Sequence, residues 1–126
     1  MNPRQEYKKL INSFKYAIEG FVSSFKTERN MKIHIMAMII VIALGLFFKL
    51  NKVEWCFIII AIASVISAEL FNTAIETVVD MVSPERNPKA KLAKDIAAGA
   101  VLVVAIGAAI IGFIIFGPQI INVFSK

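Results

Sequence analysis

A chain of 126 residues that is 58% hydrophobic, 18% charged and has a mean hydropathy of +0.73 is too apolar for an ordinary soluble domain. The net charge of +5 arises from basic residues that flank oily segments, so anionic headgroups or phosphates are expected partners and nucleic acid is not. The single cysteine, Cys56, allows neither an intramolecular disulfide nor a cysteine zinc site.

The opening Met1-Asn2-Pro3-Arg4-Gln5-Glu6 lacks an apolar core and a small-residue cleavage site, so no removable signal peptide is expected. Over residues 5–27, Leu10, Ile11, Phe14, Ile18, Phe21, Val22 and Phe25 recur at three- and four-residue steps, while Lys8, Lys9, Lys15 and Glu19 lie off that line. This predicts an amphipathic helix, lying in the membrane interface or packed across the ends of the spanning helices. Residues 31–50 form the first predicted span. His34, near its start, is the only histidine, which argues against a histidine metal site and for an interfacial or internally satisfied ring.

After a short turn over residues 50–54, Trp55 anchors a second predicted span, residues 53–81, which ends before Ser83-Pro84. Asn87-Pro88 is a helix restart, with a capping side chain and proline at the first helical position. It opens a third span, residues 88–117, which Gly117-Pro118 is expected to end. Its Ala97, Ala98, Gly99, Ala100, Gly107 and Gly112 would admit close neighbours. The expected architecture is therefore a single all-α integral membrane domain. Eleven of the 14 lysines and arginines fall on the side of the N-terminus and the second connection, and three on the other. This predicts an N-terminus in the cytoplasm and a C-terminus outside the cell membrane.

The informative stretch is Ala68–Asp80, where an oily run acquires three acids and an amide. Glu69, Asn72, Glu76 and Asp80 fall within about 80° of one another on a helix, and Glu69 lies roughly 21 Å beyond Trp55 along the axis. The stripe therefore begins inside the hydrocarbon edge and opens toward the cytoplasm, where ATP is available. Acids so placed need protein, water or cations around them. Three readings follow: a structural seam in which Asp80 or Glu76 pairs with Arg86, Lys91 or Lys94; a proton or cation path in a small carrier; and phosphoryl transfer to a lipid headgroup. For the third, Glu76 would hold Mg²⁺ against phosphate, Lys94 would neutralise the transferring group, and Glu69 would deprotonate an acceptor hydroxyl. New helix N–H groups at the Asn87 restart also favour anions. No Walker A loop, G-x-G-x-x-G, HRD or DFG motif occurs, so any nucleotide site is unconventional.

The run AELFNTAIETVVD at 68–80, with KD at 94–95 and AAGAVL at 97–102, resembles the prokaryotic diacylglycerol kinase family of small membrane lipid kinases. ERNMKIH at 28–34 and NPKAKLAKDIAAGAV at 87–101 are similar to its Gram-positive branch, whose members act as undecaprenol kinases. The resemblance implies an ATP- and Mg²⁺-dependent homotrimer, with an N-terminal surface helix, three transmembrane helices per chain and sites shared between neighbours. It implies Glu69 as catalytic base and Glu28 with Glu76 as metal ligands. It further implies Asn72 beneath the phosphates, Lys94 and Asp95 on the nucleotide, and Tyr16 and Glu85 near it, with Asp80 as part of the polar stripe. The acceptor it implies is a membrane lipid alcohol, undecaprenol first and diacylglycerol second. A small membrane carrier or a non-enzymatic assembly subunit is the more distant alternative.

Overall fold

The local signals for starting and stopping helices are dense in this chain, and they set its architecture. In the computed structural model, which describes residues 2–125, four helices follow in order: α1 Pro3–Thr27, α2 Arg29–Phe47, α3 Lys52–Val82 and α4 Pro88–Phe124. The last three are each long and apolar enough to cross a membrane. At 1.5 Å per residue, the 31 residues of α3 extend about 46 Å, well beyond a hydrocarbon core of about 30 Å, so part of it stands clear of the lipid tails.

Three of the four starts, those of α1, α3 and α4, carry a side-chain cap. Asn2 accepts from the N–H of Arg4, Asn51 from those of Val53 and Glu54, and Asn87 from those of Lys89 and Ala90. Glu54 closes a capping box by accepting the Asn51 N–H at 2.8 Å. Between α1 and α2 a single extended residue, Glu28 (φ −94°, ψ 122°), ends one helix and begins the next.

The α2–α3 connection is tighter than the predicted turn, because Asn51 already caps α3. The N–H of Leu50 bonds the carbonyl of Gly45 at 3.1 Å and that of Lys49 bonds Leu46 at 3.3 Å, the paired bonds of a Schellman ending. Lys49 takes the left-handed position, φ 53°, which glycine usually fills. This turn delivers Leu50 into the core it forms with Ile58, Ile115 and Phe116. Phe48 and Trp55 close over that cluster, and the rings of Phe48 and Phe116 lie 6.2 Å apart.

The main packing in the chain is the antiparallel pair α3–α4, with α2 laid against α3. Large side chains such as Ile59, Phe71, Leu102 and Phe113 remain exposed outside it. In lipid this costs little, since acyl tails are as apolar as leucine; packing and polar satisfaction decide helix association instead. The apolar residues of α1 are likewise uncovered, and Ser24 is its one buried residue among those described.

Two expectations change. Gly117-Pro118 does not end the last helix, which runs on to Phe124. Proline removes one donor, but the helix can resume beyond it where the following residues, Ile120, Ile121 and Val123, remain apolar. The small residues of α4 also play a divided role. Ala97 is buried, whereas a methyl added at Gly99, Gly107, Gly112 or Gly117 would meet nothing within 4 Å in this chain.

The close approach that glycine permits occurs on α2 instead. A Cβ at Gly45 would lie 2.8 Å from Cη2 of Trp55 and 3.2 Å from Leu50 Cδ1. Gly45→Ala is expected to gain helix propensity yet lose about 1–3 kcal/mol from overpacking against a rigid indole. A lower unfolding midpoint in detergent, with shifted emission from Trp55, the only tryptophan, is the predicted readout; unchanged values of both would contradict it.

Candidate functional site at the polar end of the α2–α3–α4 bundle

The bundle has an apolar end, around Leu50 and Phe116, and a polar end built by α3. Along α3 exposure rises in steps: Glu69 is 1% exposed, Asn72 6%, Glu76 half-buried and Asp80 exposed. Helical spacing puts the four on one face, and the protruding length of α3 carries the last two toward water.

Glu69 is the deepest. One pocket of about 250 Å³ holds it together with Asn72 from α3, Asn30 and His34 from α2, and Ala98 and Val101 from α4. Its Oε2 lies 3.9 Å from His34 Nε2 and has no hydrogen-bond partner among the described residues. Asn72 Oδ1 is buried and unpartnered in the same way. Two orphaned acceptors on one pocket call for a ligand or solvent that brings donors, since an unmatched buried polar atom is costly. Beside them, Thr73 Oγ1 donates to the Glu69 carbonyl at 3.0 Å.

Asn72 links this pocket to the next. Its Nδ2 donates to Glu76 Oε1 at 3.0 Å, and Glu76 lines a broad cleft of about 900 Å³ beneath the α3–α4 connection. Asp80, Glu85, Arg86, Lys94 and Asp95 line the same cleft. Lys94 Nζ donates to Asp80 Oδ1 at 2.8 Å, and Lys91 pairs with Asp95 one turn along α4. Both pairs are too exposed to add much stability, which leaves their charges available to an incoming phosphate. The expected free N–H groups at the α4 restart are partly taken, since Asn87 caps those of Lys89 and Ala90.

Tyr16 and Glu28 stand elsewhere. They line a third cleft, of about 600 Å³, between α1 and the Leu70–Thr77 face of α3. Ser24 and Thr73 meet across it at 3.3 Å, and Thr27 Oγ1 donates to Glu28 Oε1 at 3.2 Å. Thus the structure joins Glu69 to Asn72 and Glu76, and Glu76 to Asp80, Glu85, Lys94 and Asp95, but opens Tyr16 and Glu28 on a separate cleft. Among the described residues no three acidic, histidine or cysteine side chains gather into a ready-made metal cage. Mg²⁺ fits such a layout, because it is commonly held by one or two carboxylates with phosphate and water completing the shell.

Sequence reasoning left one member out of the site, His34, which it read as an interfacial or internally satisfied ring. The register of the hairpin contains the signal. His34 lies 14 residues before Phe48 and Glu69 14 residues after Trp55, so both stand roughly 21 Å from the turn that joins α2 and α3.

Comparison with known proteins agrees with this architecture. Residues 15–116 match the family model for prokaryotic diacylglycerol kinase. The undecaprenol kinase of Bacillus subtilis is 41% identical over 93% of this chain and 95% of its own length. Diacylglycerol kinases of Synechocystis and Haemophilus influenzae are each 38% identical. They are matched over 90% and 68% of this chain, and over 65% and 73% of their own lengths. A match of this extent makes the chain a multi-pass membrane protein of the prokaryotic diacylglycerol kinase family.

Proposed function

We propose that this protein transfers the γ-phosphoryl group of ATP to the hydroxyl of a membrane lipid alcohol, with undecaprenol as the preferred acceptor and diacylglycerol as the alternative. The observation that carries the reading is Glu69: a carboxylate 1% exposed, with an unpartnered oxygen, sharing its pocket with Asn72, which donates to Glu76 at the Lys94 cleft. The acceptor preference is supported by the undecaprenol kinase among the relatives.

The lipid hydroxyl approaches Glu69 from the hydrocarbon side. Glu69 Oε2 accepts its proton as the new O–P bond forms and the bond to the ADP oxygen breaks. Asn72 orients Glu76 and supports the phosphates. Lys94 leaves Asp80 to neutralise charge on the transferring group, while Asp95, Glu85 and Tyr16 contact the nucleotide. Glu28 and Glu76 would hold Mg²⁺, which supplies charge neutralisation at the phosphates when bound. With catalysis resting on positioning and electrostatics, no phosphate-cradling loop is required.

A homotrimer supports this scheme physically. Tyr16 and Glu28 open on a different cleft from Lys94 and Asp95, and a neighbouring copy would bring the two sets together. The unfilled glycine positions of α4 leave room for such a neighbour. In the membrane, α1 lies in the interface with Phe14 and Ile18 toward the acyl tails, and the site faces the cytoplasm on the lysine-rich side.

Purified protein in mixed micelles with γ-labelled ATP is expected to label undecaprenol in a Mg²⁺-dependent manner. At equal mole fraction, undecaprenol is expected to take more label than diacylglycerol. No label in any lipid alcohol would defeat the kinase reading; a preference for diacylglycerol would reverse the acceptor. Glu69→Gln keeps size and hydrogen bonding but removes the base, so turnover is expected to fall about 10²–10⁴-fold. Turnover near that of the unmodified protein would remove Glu69 from the role.

A further inference from the structure

We propose that His34 resets the base: after each transfer it takes the proton from Glu69 and passes it to water at the cytoplasmic end of α2. The inference rests on the lipid-kinase reading and assigns a residue that the transfer step itself does not use.

The chemistry leaves a proton to place. Once the acceptor hydroxyl has lost its hydrogen to Glu69 and its oxygen has bonded phosphorus, the site holds a neutral carboxylic acid. A second cycle cannot start until that proton leaves. Glu69 is 1% exposed, so direct exchange with bulk water is obstructed. The nearest titratable group is His34, its Nε2 3.9 Å from Glu69 Oε2, with the side chain four-fifths buried. That gap is closed by one water or a small ring rotation, and the shared pocket has room for several waters.

The surroundings leave few rivals. Within the pocket, α4 presents only apolar side chains, Ala98, Val101, Leu102 and Ala105, and α3 adds Glu69 and the neutral Asn72. Below His34 an apolar groove continues along Ala37, Met38, Ile62 and Val65, offering no proton acceptor. Neither Glu28 nor Glu76 lines this pocket, and both are assigned to phosphate-side work. Above His34, one turn toward the cytoplasm, Asn30 lines the same pocket and is exposed, giving the ring an outlet to water.

The step balances. The neutral imidazole, in the tautomer with hydrogen on Nδ1, accepts the Glu69 proton at Nε2. An imidazolium–carboxylate pair results, and the imidazolium then releases one proton to water. The sum is one proton released for each ATP and lipid hydroxyl consumed. A ring that only filled space or oriented Glu69 would affect the first turnover as much as later ones. A relay affects only the later ones.

The test is rapid-quench kinetics on the full-length protein in undecaprenol-containing nanodiscs with saturating MgATP. His34→Gln retains bulk and a donor but cannot take up and release a proton. It is expected to give a burst of about one labelled lipid per site at the unmodified rate, followed by steady turnover lowered about 10- to 100-fold. His34→Ala is expected to show the same burst, with steady turnover restored by added imidazole in proportion to its free base. Equal slowing of first and later turnovers, no slowing at all in His34→Gln, or an imidazole-insensitive His34→Ala that binds MgATP normally would overturn the relay. Should His34→Ala fail to bind MgATP, the burst in His34→Gln decides alone. Loss of label from the unmodified protein would instead strike the kinase reading, so the two failures are distinct.

Discussion

One carboxylate in an oily bundle constrains everything around it. A charge deep in a bilayer costs about 2.5–3.5 kcal/mol on insertion scales, so Glu69 is tolerable only with polar walls or water beside it. Three helices supply those walls. Asn72 comes from the same face of α3, His34 and Asn30 come from α2, and the small side chain of Ala98 on α4 leaves space at the centre. That space, with its two orphaned acceptors, is what a hydroxyl-bearing ligand would fill.

The apolar end of the bundle is what makes the polar end possible. The Schellman turn at Phe48–Leu50, the cap at Asn51 and the indole of Trp55 lying on Gly45 fix how α2 runs back along α3. Because helices are rigid over four turns, that register decides which α2 residue faces Glu69 about 21 Å away. At the far end of α3 the Asp80–Lys94 pair ties it to the start of α4 and completes the cleft that Glu76 enters. Depth then sorts the acids, from the dry Glu69 to the wet Asp80, and gives one helix face different chemistries along its length.

Much of this was legible in the residues. Apolar run length gives the three spans, Ser83-Pro84 and Asn87-Pro88 mark the second connection, and 3.6-residue spacing gives the stripe. The helix past Pro118 was not legible by a stop rule learned from soluble chains, because an apolar context lets a helix resume after a missing donor. His34 looked isolated because its partner lies 35 positions away, and only the hairpin register joins them. The clefts of Tyr16 and Lys94 are likewise a matter of three-dimensional placement, which no spacing along α1 or α4 announces. That neighbouring copies would bring them together is a proposal drawn from the family resemblance and those separate openings.

The roles proposed along α3 divide by depth, with Glu69 serving the acceptor and Glu76 serving metal and nucleotide. The most direct test of that division is the equilibrium binding of MgATP, without lipid alcohol, to Glu69→Gln and Glu76→Gln. Affinity is expected to stay close to that of the unmodified protein in Glu69→Gln and to fall tenfold or more in Glu76→Gln, in line with removal of a charged metal ligand. Equal losses in both, or a larger loss in Glu69→Gln, would contradict it.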